Sequence, residues 1–328
     1  MSEPTGWDRR LSVVADGKGL VGHAGAVLLR RLADRTGLTA ALAAVLPAGT
    51  GAGWRHRAAV VVQLAVAIAL GAVNLSDAEQ VQIHHQGLFG PPVSDSTTRR
   101  ALAAMDSEVL AKIGQVRARV RRHVWSLLCL RPGGFAWLTI AGKVLHRWIV
   151  IDMDATIITA ASKKQGAAAT WKKTYGFHPL AAWCANTGEC LAMTATNISR
   201  MTRIAGSHQI QWLDALHRHH AVVEDHVRTN KAMGLHNLPS KSWQINEAWM
   251  LTANLAADLD AWLRLLTLHD HGELADAEPD TMRFRLYHLP AHLARHARRR
   301  WLRIETTWPW ADAFATSWRR LGTLPAAT

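Results

Sequence analysis

The chain has 328 residues, 49% of them hydrophobic, and its 38 Lys+Arg against 25 Asp+Glu give a formal net charge of +13. That apolar content excludes wholesale disorder, and the length allows two domains or one large one. The charge points to an anionic partner, with nucleic acid or a membrane surface the usual candidates.

Three cysteines (Cys129, Cys184 and Cys190) with no CxxC pair argue against a disulfide framework or a zinc ribbon, and for a reduced, cytoplasmic setting. The opening MSEPTGWDRR carries acids and no apolar stretch, unlike a signal peptide. GKGLVG (Gly17, Gly19, Gly22) matches GxGxxG, but Asp34 falls inside a helical pattern rather than at the end of a second strand, so the glycines read as a turn before a helix. Ala24 to Leu38 has apolar spacing of three and four, a helix stopping near Gly37. LPAGTGAG is a loop, and Ala58 to Val73 is an apolar run short of the roughly 20 residues a membrane span needs. It reads as a buried core helix and not as a membrane anchor. VSDSTTRRALAAMD offers Ser94, Asp95 or Ser96 as an N-cap, with Arg99 and Arg100 in the first turns. That helix is either plainly capped or a groove-entering one.

RPGG (Arg131 to Gly134) is a turn and a candidate boundary, after which the period becomes alternating. WLTIAGKVLHRWIVIDMDATIITA predicts two strands, and HPLAAWCANTGECLAMTAT a hairpin around Asn186, Thr187 and Gly188. From Ser207 to about His269 the pattern is helical, and a basic tail rich in tryptophan follows. The expected class is α+β and mostly helical. A helical, DNA-binding region (1–130) precedes a β-sheet region with packed helices (131–270) and a basic helical tail (271–328). Two stretches are free of acids: Arg117 to Arg147 with six arginines and a lysine, and Arg283 to Arg303 with seven arginines. Together they predict a polyanion-binding surface.

Asp152 and Asp154 interrupt the apolar run RWIVIDMDATIITA. In a strand they share one face with Thr156, while Ile151, Met153, Ala155 and Ile157 share the other, toward a core. Two like charges cannot be buried without compensation, so the aspartate face is expected to meet solvent, basic side chains or a divalent cation. Further on, His217, His220, Glu224, Arg228 and Lys231 recur at helical spacing as one polar stripe. Such a stripe fits either an exposed amphipathic helix or metal-assisted phosphate chemistry. His217, His219, His220 and Glu224 also offer a zinc set, but without HExxH wording.

VIDMDATIITAASKKQGAAATWKKTYGFHPL and EDHVRTNKAMGLHNLP resemble a branch of the bacterial insertion-sequence DDE transposases, as do GKGLVGHAG and HLARHARRRWLR. Glu224 and Lys231 fit the glutamate and lysine of that family's tyrosine–arginine–glutamate–lysine signature. His217 stands at the tyrosine position and His220 at the arginine position. The resemblance implies an RNase H-like fold, Mg²⁺ or Mn²⁺ held by three acids, and double-stranded DNA ending in terminal inverted repeats as partner; self-association stays open. By the same resemblance Asp154 is the first acid, with Asp152 its alternative, and Glu224 is the last; Lys231, Arg228, His217 and His220 are nucleic-acid contacts. The family's middle acid has no counterpart, since no aspartate lies between Asp154 and Asp214. ECLA and MTATN match text on either side of a segment this chain lacks, which places an internal deletion near Ala192–Met193. The expectation is a truncated RNase H-like sheet in a transposase with impaired cleavage, or else a non-catalytic DNA-binding regulator or inhibitor of transposition.

Overall fold

Apolar periodicity is strongest in the helical half, and the helices form where it lies. A computed structural model describes residues 17–46, 56–160, 164–170, 172–194, 222–325 and 327. A two-residue strand β1 (Leu20–Val21) leads into α1 (Ala26–Arg35), whose Leu28, Leu29 and Leu32 face inward. Gly25 precedes α1 because nothing larger fits: a Cβ there would sit 2.4 Å from the Tyr287 Cα. Helix α2 (Leu38–Val45) follows, then α3 (Arg57–Ala69), buried on nearly all sides as its uniform apolarity predicts. Next come α4 (Leu75–Ile83), α5 (Asp95–Ala103) and the long α6 (Ser107–Leu130). Each of these three begins at a side-chain cap: Asn74 accepts from the Asp77 N–H at 2.9 Å, Ser94 from Thr97 at 3.3 Å and Asp106 from Val109 at 2.9 Å. Caps of this kind contribute about 1 kcal/mol each.

Short antiparallel strands take over after Gly134. A small hairpin joins β2 (Thr139–Ile140) and β3 (Lys143–Val144). The aspartates lie in β4 (Ile151–Ala155), followed by β5 (Ile158–Thr159), β6 (Ala168–Ala169) and β7 (Tyr175–Phe177). Strands β8 (Leu180–Cys184) and β9 (Glu189–Thr194) form the expected hairpin, turning through Asn186, Thr187 and a left-handed Gly188. The sheets run in the orders β4-β8-β9 and β5-β7-β6. Then come α7 (Val223–Asn230) and the almost wholly buried α8 (Trp243–Leu263). The C-terminal region holds β10 (Ala291–His296), β11 (Arg299–Ile304) and α9 (Ala311–Thr323). The class is mixed α+β. One expectation is corrected: residues 291–304, assigned to a helical tail, are an antiparallel hairpin that pairs with β1. Leu293 opposite Leu302 and Ala291 opposite Ile304 pack inward at the strand period, not the helical one.

The main core takes residues from Val21 through Leu321, with α3 lying against α8 at its centre. No helix among the described residues is long and apolar enough to cross a membrane. The first arginine run does not all face solvent. Arg117 forms a buried pair with Asp258 of α8, its Nη2 lying 2.9 Å from Oδ1, and Arg121 donates to Glu189 of β9 at 3.0 Å. Glu189 also accepts the indole N–H groups of Trp125 at 2.7 Å and Trp262 at 2.6 Å. Arg283, which opens the second run, donates instead to the Ala69, Ile68 and Ala232 carbonyls, closing the end of α3.

Removing one partner of such a buried set leaves uncompensated charge, a loss of about 3–5 kcal/mol. Glu189→Ala is therefore expected to lower the denaturant midpoint strongly. Arg228→Ala, which deletes an exposed pair, is expected to cost about 0–1 kcal/mol. A second prediction concerns histidines. Burial, helped by His288, His84 and His85, pulls the His23 imidazole down to about 3. Burial and His84 pull His85 down to about 4. Both rings are neutral in the fold and titrate near about 6.5 when unfolded. Their stabilisation is full above that value and is lost as pH falls toward the folded values. The melting temperature is expected to drop between about pH 7.5 and about pH 5.5, and to drop less in a His23→Phe variant.

Candidate catalytic site

Register fixes which side of the central sheet each aspartate occupies. Asp152 stands opposite Trp183 and Asp154 opposite Ala181, so all four share one face. Val223 and Val227 of α7 pack on that same face, against Ala181, Trp183 and Cys190. Two hydrogen bonds pin the helix there: the Trp183 indole donates to Asn230 at 3.1 Å, and the Asn230 amide donates to Asn254 of α8 at 2.9 Å. The expected polarity of β4 is thus inverted. Asp152 is only 6% exposed, whereas Ile151 and Met153 are 54% and 57% exposed. Alternation shows that the two sets separate, but α7 decides which set is covered. Asp154 is half-buried, its Oδ1 accepting the Ala155 N–H at 2.8 Å.

Glu224 lies in the first turn of α7 and is exposed. At about 100° per residue it lies about 100° round from Val223, and Lys231 about 80° round, so they share a flank. His226 lies on the opposite flank, beside the Gly188 turn. Lys231 is half-buried, and burial together with the neighbouring Lys172 holds its ammonium below the usual lysine range. Two ammonium groups that repel each other are relieved by an anion between them. Arg228 is held by Asp225 at 2.6 Å and Glu278 at 3.0 Å. His217 and His220, like Asp214, lie outside the described residues.

Sequence reasoning singled out Asp152, Asp154 and Glu224 but missed Trp183, Asn230 and Lys172. The asparagine sits inside EDHVRTNK, one residue before the family-like lysine, and a buried helical amide was the available signal. The donor chemistry of Asp152, Asp154 and Glu224 suits a hard cation. The arrangement does not complete a site: among the described residues no three His, Cys, Asp or Glu side chains converge closely enough to hold a metal ion. Asn230→Ala is expected to cost about 1–3 kcal/mol, because it leaves the Trp183 indole and Asn254 unsatisfied. Faster hydrogen exchange along α7 than along α8 is the measurement that checks it.

Neither a curated protein nor a solved structure matches the chain. The family model described as "Transposase DDE domain group 1" matches in two segments, residues 3–201 and 195–326, which together span nearly its whole length. The second segment starts at residue 195, just past β9, and carries α7. An acid-bearing strand, a helix bearing Glu224 and Lys231 packed over its aspartate face, and this match agree: the chain belongs to the DDE transposases of insertion sequences.

Proposed function

We propose that the chain is a DDE transposase by descent that has lost the middle of its catalytic region, and that it binds DNA without cleaving it. The sheet β4-β8-β9 with α7 across it is the retained part of an RNase H-like core. In that fold the strand bearing the second acid pairs beside the first. Among the described residues β4 pairs only with β8, so its other edge is where that strand belongs. Three observations support the reading: the family match in two segments, the lack of any aspartate between Asp154 and Asp214, and the failure of the described acids to form a three-ligand group. The second of these carries it, since two-metal phosphoryl chemistry needs acids that clamp both attacking and leaving oxygens.

In an intact relative a divalent ion would supply Lewis-acid activation of the phosphodiester. The residues of this chain do less. Asp152 and Asp154 lie on the sheet face that α7 covers. Lys231 with Lys172 offers a phosphate site beside it, and the helical region 1–130 supplies further DNA-binding surface. Such a chain would occupy the terminal inverted repeats of its element and inhibit full-length subunits.

The test uses the full chain and labelled duplexes carrying the element's terminal inverted repeats, in Mg²⁺ and in Mn²⁺. Retardation of the duplex without strand nicking is the expected outcome, and Asp154→Ala and Glu224→Ala are expected to leave retardation within about twofold. Nicking that requires metal and disappears in both variants would falsify the loss of cleavage.

A further inference from the structure

The β10–β11 hairpin and its turn carry five arginines, and none of its residues belongs to the site described above. Its register is Ala291↔Ile304, His292↔Arg303, Leu293↔Leu302, Ala294↔Trp301, Arg295↔Arg300 and His296↔Arg299. One face carries Ala291, Leu293, Leu302 and Ile304 onto the core. The other face presents His292, His296, Arg299, Trp301 and Arg303 to solvent, with Trp301 52% exposed. Ala297 and Arg298 form the tip, both in left-handed backbone conformation. That is the two-residue turn that most often takes Asn-Gly, so the arginine is retained there against local preference.

The pairing is unfavourable for a ribbon whose only task is structural. The charged cross-strand pair, Arg295 opposite Arg300, sets like against like, and like charges directly opposite destabilise an antiparallel pair. Among the described residues Arg295, Arg298, Arg299 and Arg303 make no ion pair, whereas Arg283 and Arg285 of the same basic run are paired with Asp280 and Glu273. Trp308 and Trp310 meet Phe284 edge to face, leaving Trp301 as the outward indole of the ribbon. A polyanion along the outer face supplies the counter-charge that Arg299 and Arg303 lack among the described residues. Dimensions select which polyanion. Strands of six residues at about 3.4 Å each give a ribbon about 20 Å long. The major groove of B-DNA, about 12 Å wide, admits a two-stranded ribbon.

We propose that this hairpin is a DNA-docking ribbon that lies in the major groove, its arginines on the flanking phosphates and Trp301 against the groove wall. The assignment rests on the reading of the chain as a DNA-binding transposase derivative, and it names a surface distinct from the Lys231 flank. Each phosphate contact contributes about 0.9 to the slope of log affinity against log salt. The full chain with Arg298→Gln, Arg299→Gln and Arg303→Gln is therefore expected to bind a random-sequence duplex with a slope smaller by about 2 to 3. Arg299→Gln alone, with its melting temperature unchanged, is expected to shift the slope by about 0.9. Arg319→Gln, exposed on α9 and outside both DNA-binding surfaces, is expected to leave the slope unaltered. An unchanged slope in the folded ribbon variants overturns the ribbon alone, as does a drop for Arg319→Gln equal to that for Arg299→Gln. Anionic phospholipid vesicles that displace the duplex as well as unlabelled duplex does also overturn it. No duplex binding by the unaltered chain overturns the parent reading and the ribbon together.

Discussion

One buried carboxylate holds the two halves of this protein together. Glu189, at the start of β9, receives a guanidinium and two indole N–H groups from α6 and α8, and Arg117 with Asp258 extends the set alongside. Hydrogen bonds to a charged group in a dry interior are stronger than neutral ones, and each is costly to leave unmade. The sheet is small and Ile151 and Met153 on its β4 side are exposed, so apolar burial alone fixes it weakly. The charged set supplies direction as well as attachment, because only one register of the β8–β9 hairpin brings Glu189 under both tryptophans. The placement of α7 and of its acid follows from that register.

A sheet positioned this way need not be complete. The clamp acts on β9, at one margin, while the aspartates lie on β4 at the other. Loss of neighbouring strands on the β4 side therefore leaves the anchor intact, and helix α7 still finds Ala181, Trp183 and Cys190 to cover. On the proposed reading, chemistry would suffer rather than folding: a metal centre built from several elements fails when one is removed, whereas a hairpin tied to a helical core persists.

Much of this was legible in the residues. The hairpin at Asn186–Gly188, the Ser94 cap and the all-round apolarity of α3 follow from local rules that tertiary packing did not override. The family-like text placed Asp154 and Glu224 on elements that do pack together. Other features were hidden for identifiable reasons. Arg117 and Arg121 look like surface charge, and their inward turn depends on acids far along the chain. Asp258 in AADLDAW and Glu189 in ECLA, each set in apolar text, were the traces of it. The polarity of β4 could not be read, since alternation is symmetric and the covering helix lies about 70 residues away. The C-terminal ribbon escaped notice because five arginines in its fourteen residues, three of them consecutive, obscure the period of two.

The helix α3 carries a wider consequence. It is apolar around its whole circumference and is enclosed by segments from both ends of the chain, with Arg283 closing its last turn. A fragment ending near residue 130 keeps this helix but loses α8 and Arg283, which cover it, and made alone would expose a greasy rod to the cell. An early stop codon there would yield material for proteases instead of a smaller working protein.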